Sequence, residues 1–273
     1  MRENRIVFII VALFGIVLAA GTPSFAQSAA ELTDQGNRLY TEGDVKGALE
    51  SYDAAIAADP KYAPAYKMRG MVYSILAKYD VAADDLTRYI ELVPESVSAY
   101  ANRGNAYFNM NMLDEAIEDY TTALSMEQND PDIWYNRGVV YTVSGGLENA
   151  VDDFSRALAL SPNDLDALYD RGNTYIDLGE YDKAIEDLTD FIELESNAIM
   201  AYINRGIAYG SLEQYDRAID DFSTAIKLDD EFALAYYCRA LAYSRTGKED
   251  KAVSDLNTAC DYGMIDACEV IGR

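Results

Sequence analysis

Arginine and aspartate recur together in this chain at one fixed separation: Arg69 with Asp85, Arg103 with Asp119, Arg137 with Asp153, Arg171 with Asp187, Arg205 with Asp221, and Arg239 with Asp255. Such residues can form bidentate ion pairs. Adjacent carboxylates such as Asp84-Asp85, Asp152-Asp153 and Asp220-Asp221 could instead divide acid and base roles. Repetition favours the ion pair, because a catalytic dyad is needed once. No histidine is present, which removes Ser–His and Cys–His nucleophile pairs and the commonest metal ligand. The glycines fall singly rather than in a phosphate-cradling cluster, and no stretch has the alternating oxygen ligands of a calcium loop. Three cysteines, Cys238, Cys260 and Cys268, complete the reactive groups. The expectation is a chain without catalysis, metal or cofactor.

A repeat must position these pairs. Gly36, Gly70, Gly104, Gly138, Gly172 and Gly206 lie 34 residues apart, with Ala240 next in phase. Seven copies follow: 29–62, 63–96, 97–130, 131–164, 165–198, 199–232 and 233–266. Numbering each copy from slot 1, the glycines take slot 8 and an unbroken alanine series (Ala48 to Ala252) takes slot 20. Large residues fill slot 11 (Leu39, then Tyr73 to Tyr243) and slot 24 (Tyr52, Leu86, Tyr120, Phe154, Leu188, Phe222, Leu256). Slots 4, 8 and 11 share one helical face, as do slots 20, 24, 27 and 28. Gly43, Gly145-Gly146, Gly179 and Gly247 mark a turn between them, and Pro60, Pro94 and Pro162 close their copies. Acids from Asp80 to Asp250 stand where the second helix begins, suited to its positive end. Each copy therefore reads as helix–turn–helix. Slots 7 and 23 should face each other across the hairpin, which predicts Arg–Asp contacts in copies two to seven. The first copy has Gln35 and Ser51 there instead.

This pattern resembles the tetratricopeptide repeat (TPR) family, most cleanly in Trp134-x-x-x-Gly138-x-x-Tyr141, Ala150, Phe154, Ala157 and Pro162. The resemblance implies an all-α, right-handed solenoid of seven repeats stacked as one elongated domain. It further implies that slots 2, 5, 6, 9, 12 and 13 line a concave groove. Carried over, slot 6 supplies Asn102, Asn136, Asp170 and Asn204, and slot 9 supplies Asn37, Asn105 and Asn173, as candidate peptide-binding residues. An amide offers both donor and acceptor to an extended backbone. Asp34, Met68 and Cys238 complete slot 6, and Tyr135, Tyr169, Tyr237 and Phe108 could add apolar anchors. Chaperone-tail-binding members hold a carboxylate with basic groove residues. Here Lys67 stands alone at slot 5, so acidic C-terminal tails are not expected as partners.

The segment from Ala259 to Cys268 resembles the connecting stretch of disulfide-bridged Sel1-like repeats. That likeness implies a Cys260–Cys268 bridge fastening a cap segment, 267–273, to the last copy. Pairing of Cys238 with either cysteine is the alternative; left over, Cys238 would be a buried or a reactive thiol.

Before the repeats, Arg2 and Arg5 precede an apolar run, Ile6 to Ala20, then Gly-Thr-Pro-Ser-Phe-Ala. This has the order of a cleavable signal peptide over 1–26, with Gln27 as the mature start and an exported, periplasmic or secreted product. An uncleaved membrane anchor is the alternative. The net charge is −25, which repels nucleic acid and anionic lipid surfaces and favours partners with basic segments. The expected function is a non-enzymatic scaffold that binds a peptide or helix in its groove. The alternatives are a structural envelope subunit binding through its ends or convex face and, less favoured, a cell-wall-acting enzyme.

Overall fold

The computed structural model describes residues 27–272; the proposed leader over 1–26 lies outside the described residues. All regular structure among them is helical. Two helices form each copy: α1 Ala29–Thr41 and α2 Val45–Ala58, α3 Ala63–Ile75 and α4 Tyr79–Leu92, α5 Val97–Asn109 and α6 Leu113–Met126, α7 Pro131–Ser144 and α8 Leu147–Leu160. The series continues through α9 Leu165–Asp177 and α10 Tyr181–Leu194, α11 Ile199–Ser211 and α12 Tyr215–Leu228, α13 Ala233–Arg245 and α14 Glu249–Asp261, and ends on α15 Ile265–Ile271. Each helix packs on the next in sequence, so the fold is an α-solenoid. Neighbouring odd-numbered helices also touch one another, whereas even-numbered ones make no comparable contact. The stack therefore bends with its odd-numbered helices inside.

Slot 15 carries the turn of every hairpin in left-handed backbone. Glycine supplies it in four copies, but Ala77 (φ 55°), Asn111 (φ 60°) and Glu213 (φ 60°) adopt it as well. For Ala and Glu that conformation costs about 1–2 kcal/mol. The following amide closes each turn on the slot-11 carbonyl, as Lys78 N–H does on Tyr73 at 2.9 Å and Gln214 N–H on Tyr209 at 2.9 Å. The acids expected at the second helix sit inside its first turn, as with Asp80 and Asp216, without capping it. They favour the positive helix end through space; among the described residues, Asp44 alone caps such a helix directly, accepting from Gly47 N–H.

Slot 8 lets the two helices of a hairpin close on each other. A Cβ at Gly138 would stand 2.7 Å from the Phe154 ring, and one at Gly206 would stand 2.6 Å from Phe222. Leucine replaces the aromatic in copies two, five and seven; a Cβ at Gly70 or Gly172 would stand 3.3 or 3.0 Å from it, and in the seventh copy Ala240 packs on Leu256. A second face, slots 3, 7 and 10, packs on the preceding repeat. Ile133 and Val140 join Tyr120, Ala123 and Leu124 in one cluster, and Ala235 and Ala242 join Phe222 and Ala225 in another.

All six expected Arg–Asp contacts form, each bidentate through Nε and one Nη at 2.6–2.9 Å. The aspartates are buried, at 3–6% exposure. The sequence reading missed a third arm. The remaining Nη donates back to slot 25 of the preceding repeat: Arg103 to Thr87, Arg137 to Thr121, Arg171 to Ser155, Arg205 to Thr189 and Arg239 to Ser223, at 2.9–3.0 Å. Arg69 meets Asp53 in the same way. Aromatic rings one turn away flank most of these guanidinium groups, as Trp134 and Tyr141 flank Arg137. Burial pushes the Asp153 carboxyl above its ordinary pKa and outweighs the opposing pull of Arg137.

Removing one partner of a buried pair strands the other. Asp187→Ala should therefore destabilise the fold by about 3–5 kcal/mol, while Arg171→Leu with Asp187→Leu should cost less than Asp187→Ala alone. Ser155→Ala should cost about 1 kcal/mol. Urea denaturation of the set checks this; strictly additive losses for Arg171 and Asp187 would contradict the coupling.

Candidate peptide-docking face

The inner helices carry all seven candidate amide and carboxylate positions, and the structure sorts them into three kinds. Asn37 and Asn105 each serve a tyrosine at slot 24. Tyr52 donates its hydroxyl to Asn37 Oδ1 at 2.9 Å, and Tyr120 donates to Asn105 Oδ1. Both rings are almost wholly buried, so each amide satisfies a phenol that would otherwise lose its partner. Burial pushes both phenols above their ordinary pKa. The sequence held this signal: slot 9 is Asn in both copies whose slot 24 is Tyr. The accepted bond fixes each amide and leaves its Nδ2 without an acceptor among the described residues.

Asn173, Asn204 and Asp170 form bonds between neighbouring repeats. Asn204 Nδ2 donates to Asn173 Oδ1 at 2.7 Å and lies 3.2 Å from the Tyr169 hydroxyl. Tyr135 donates to Asp170 at 2.9 Å. Burial pushes the Asp170 carboxyl upward, and Asp166 and Asp164 add to that rise against the pull of Tyr135. Burial first, then the charge on Asp170, raises the Tyr135 phenol. Asn102 and Asn136 are half-buried. Among the described residues, neither side chain has a hydrogen-bond partner, so their donors and acceptors stay available. The structure thus groups residues from adjacent repeats four to six and leaves Asn37, Asn102, Asn105 and Asn136 as separate rungs.

Beyond this row, Cys238 is the free cysteine and is partly buried; loss of solvation pushes its thiol up to about 11. That makes it a poor nucleophile at neutral pH. The Cys260 and Cys268 sulfurs lie at bonding distance, 1.97 Å, with Cα atoms 4.8 Å apart. Cys268 belongs to α15, which starts two residues ahead of the repeat's phase because α14 and its loop are each one residue short. The shift brings Ala267, fully buried, to the place of slot 3, and Cys268 to that of the slot-4 aromatic. Among the described residues, no cluster of three His, Cys, Asp or Glu side chains could hold a metal, and no helix is long and apolar enough to cross a membrane.

Family models described as TPR repeat or tetratricopeptide repeat match residues 33–97, 68–120, 104–145, 131–164, 154–186 and 199–232. The chain belongs to the tetratricopeptide repeat family. This TPR chain shares its fold with the C-terminal part of a TPR repeat-containing protein from Cytophaga hutchinsonii (TM-score 0.75, 19% identity, covering 87% of this chain and 98% of that one). It also shares it with YrrB, described as a TPR protein with an unusual peptide-binding site (TM-score 0.63, 24% identity, covering 68% and 96%). Among curated proteins, a TPR and J domain-containing co-chaperone of Cryptococcus neoformans is 31% identical over 91 residues, 32% of this chain and 17% of its own length. A probable UDP-N-acetylglucosamine–peptide N-acetylglucosaminyltransferase, SPINDLY, from Hordeum vulgare is 41% identical over 54 residues, 20% of this chain and 6% of its own length. The chain thus spans less than a fifth of these curated relatives.

The Tyr–Asn pairing has a measurable asymmetry. Tyr120→Phe removes donor and demand together and should cost about 1 kcal/mol, whereas Asn105→Leu leaves a buried hydroxyl unsatisfied and should cost about 1–3 kcal/mol. Thermal or urea unfolding of the two variants reads the difference; the double variant should be no worse than Asn105→Leu.

Proposed function

We propose that this TPR chain is a non-enzymatic scaffold that holds an extended segment of a partner protein along its inner face. The observation carrying this reading is the row of amides on the inner helices. Among the described residues, Asn37 and Asn105 are held by buried phenols with Nδ2 unpartnered, and the side chains of Asn102 and Asn136 have no hydrogen-bond partner. Donors fixed before binding lose little freedom on meeting a peptide carbonyl, which is where preorganised sites gain affinity. The net charge of −25 favours segments rich in Lys and Arg and disfavours nucleic acid and anionic membranes. The family's general role in protein–protein contact supports the same reading.

The proposal includes export. The Arg2–Arg5 start, the apolar run to Ala20 and the small residues before Gln27 direct the chain out of the cytoplasm, where the Cys260–Cys268 bridge can form and persist. Intact-mass measurement of the cell-purified protein should give a chain starting at Gln27 whose mass rises on reduction. A chain retaining Met1 or Arg2 in the membrane fraction would show the uncleaved anchor instead.

Crosslinking in the native compartment, followed by mass spectrometry, identifies the partner. Changing Asn102, Asn136 and Asn204 together to Ala should then weaken capture by roughly tenfold or more, as for loss of a few hydrogen bonds of about 1 kcal/mol each. Far-UV circular dichroism should stay unchanged. Undiminished capture would refute the amide row.

A further inference from the structure

Slot 9, the position after the packing glycine, alternates along the chain: Asn37, Met71, Asn105, Val139, Asn173, Ile207, until Leu241 breaks the order. The amides of this series all make hydrogen bonds within the chain. Of its apolar members, Met71 and Ile207 are each 37% exposed and Val139 is half-buried. One helical turn further on, Ile75 is 67% exposed and Val143 is 56% exposed, whereas the odd copies have Thr41, Asn109 and Asp177 there. At slots 9 and 13 of copies one to six, aliphatic side chains thus fall in every second repeat, with polar residues between.

We propose that this face holds an extended, cationic segment of a partner protein carrying an apolar side chain at every sixth residue. The anchors would rest on Met71 with Ile75, on Val139 with Val143, and on Ile207. This inference rests on the reading of the inner face as a peptide groove and adds the partner's pattern. Touching helices lie about 8–10 Å apart, so alternate repeats present their apolar ground roughly 20 Å apart. An extended chain rises about 3.3 Å per residue and covers that in about six residues. Six is an even number, so successive anchors leave the strand on the same side. A helical ligand would instead repeat its anchors every three or four residues, about 5–6 Å along its axis. Charge sets what lies between the anchors. Asp34, Asp132, Asp166 and Asp177 are exposed on the groove positions, against Lys67 and Arg245, so Lys and Arg suit the intervening residues.

Three fluorescein-labelled peptides of identical Lys, Ser, Gly and Leu composition test this, with leucines spaced by six, by five or by four residues. Fluorescence anisotropy with the processed protein should show the six-spaced peptide binding about tenfold tighter than the others. Val143→Ser and Ile75→Ser alter exposed side chains and should each weaken that peptide roughly fivefold, as expected for losing one buried apolar contact. They should leave the four-spaced peptide unaffected. Preference for the four-spaced peptide would overturn the extended geometry in favour of a helix. Equal binding of all three that is lost in the triple asparagine variant would remove the spacing and leave the groove standing. Failure of all three to bind would overturn the inference; capture of the crosslinked partner by the asparagine variant judges the groove separately.

Discussion

The guanidinium at slot 7 is the joint on which this stack depends. Each of the six arginines bridges a buried carboxylate in its own hairpin and a slot-25 side chain in the repeat before it. It stands on the edge shared by two faces of its helix: slots 4, 8 and 11 close the hairpin, and slots 3, 7 and 10 meet the neighbour. A lysine could not do this, having no planar fork for a bidentate partner. Because burial of the carboxylates is itself unfavourable, the array owes its stability mainly to apolar packing at slots 3, 10, 20 and 24. The ionic joints fix which hairpin geometry and which neighbour spacing that packing adopts.

The hairpins were legible from sequence because their signals are periodic and local. Slots 8, 20 and 24 state which faces meet, and the joint appearance or absence of slots 7 and 23 states the ion pair. Contacts between repeats were harder to read. In copies two to seven, slots 3 and 10 hold Ala, Ile, Val and Thr, types that also occur on exposed faces, and only the neighbouring repeat gives them a reason to be buried. The slot-25 acceptors are short hydroxyl residues with no distinguishing pattern until the arginine reaches them. Ala77 and Glu213 lacked any turn signal because the stacked hairpins impose the left-handed backbone on them.

The candidate site was legible by position and less so by role. Asn37 and Asn105 stand on the inner helices, yet each first answers a buried phenol, and that coupling emerges only when slots 9 and 24 are read together. Asn173 and Asn204 bond across a repeat boundary, which a copy-by-copy reading cannot show. Binding and packing need not compete here. The same hydrogen bond that satisfies the core also fixes the orientation of the amide.

The first copy stands apart, with Gln35 and Ser51 in place of the ion pair and the half-exposed Asp53 as its ionic link to the next repeat. At the other end α15 packs on the last hairpin, with the Cys268 and Cys260 sulfurs at bonding distance. A linear array with unequal ends has a direction. Pulled or heated, this one should open first at the hairpin that lacks the ion pair while the turns nearest α15 still hold.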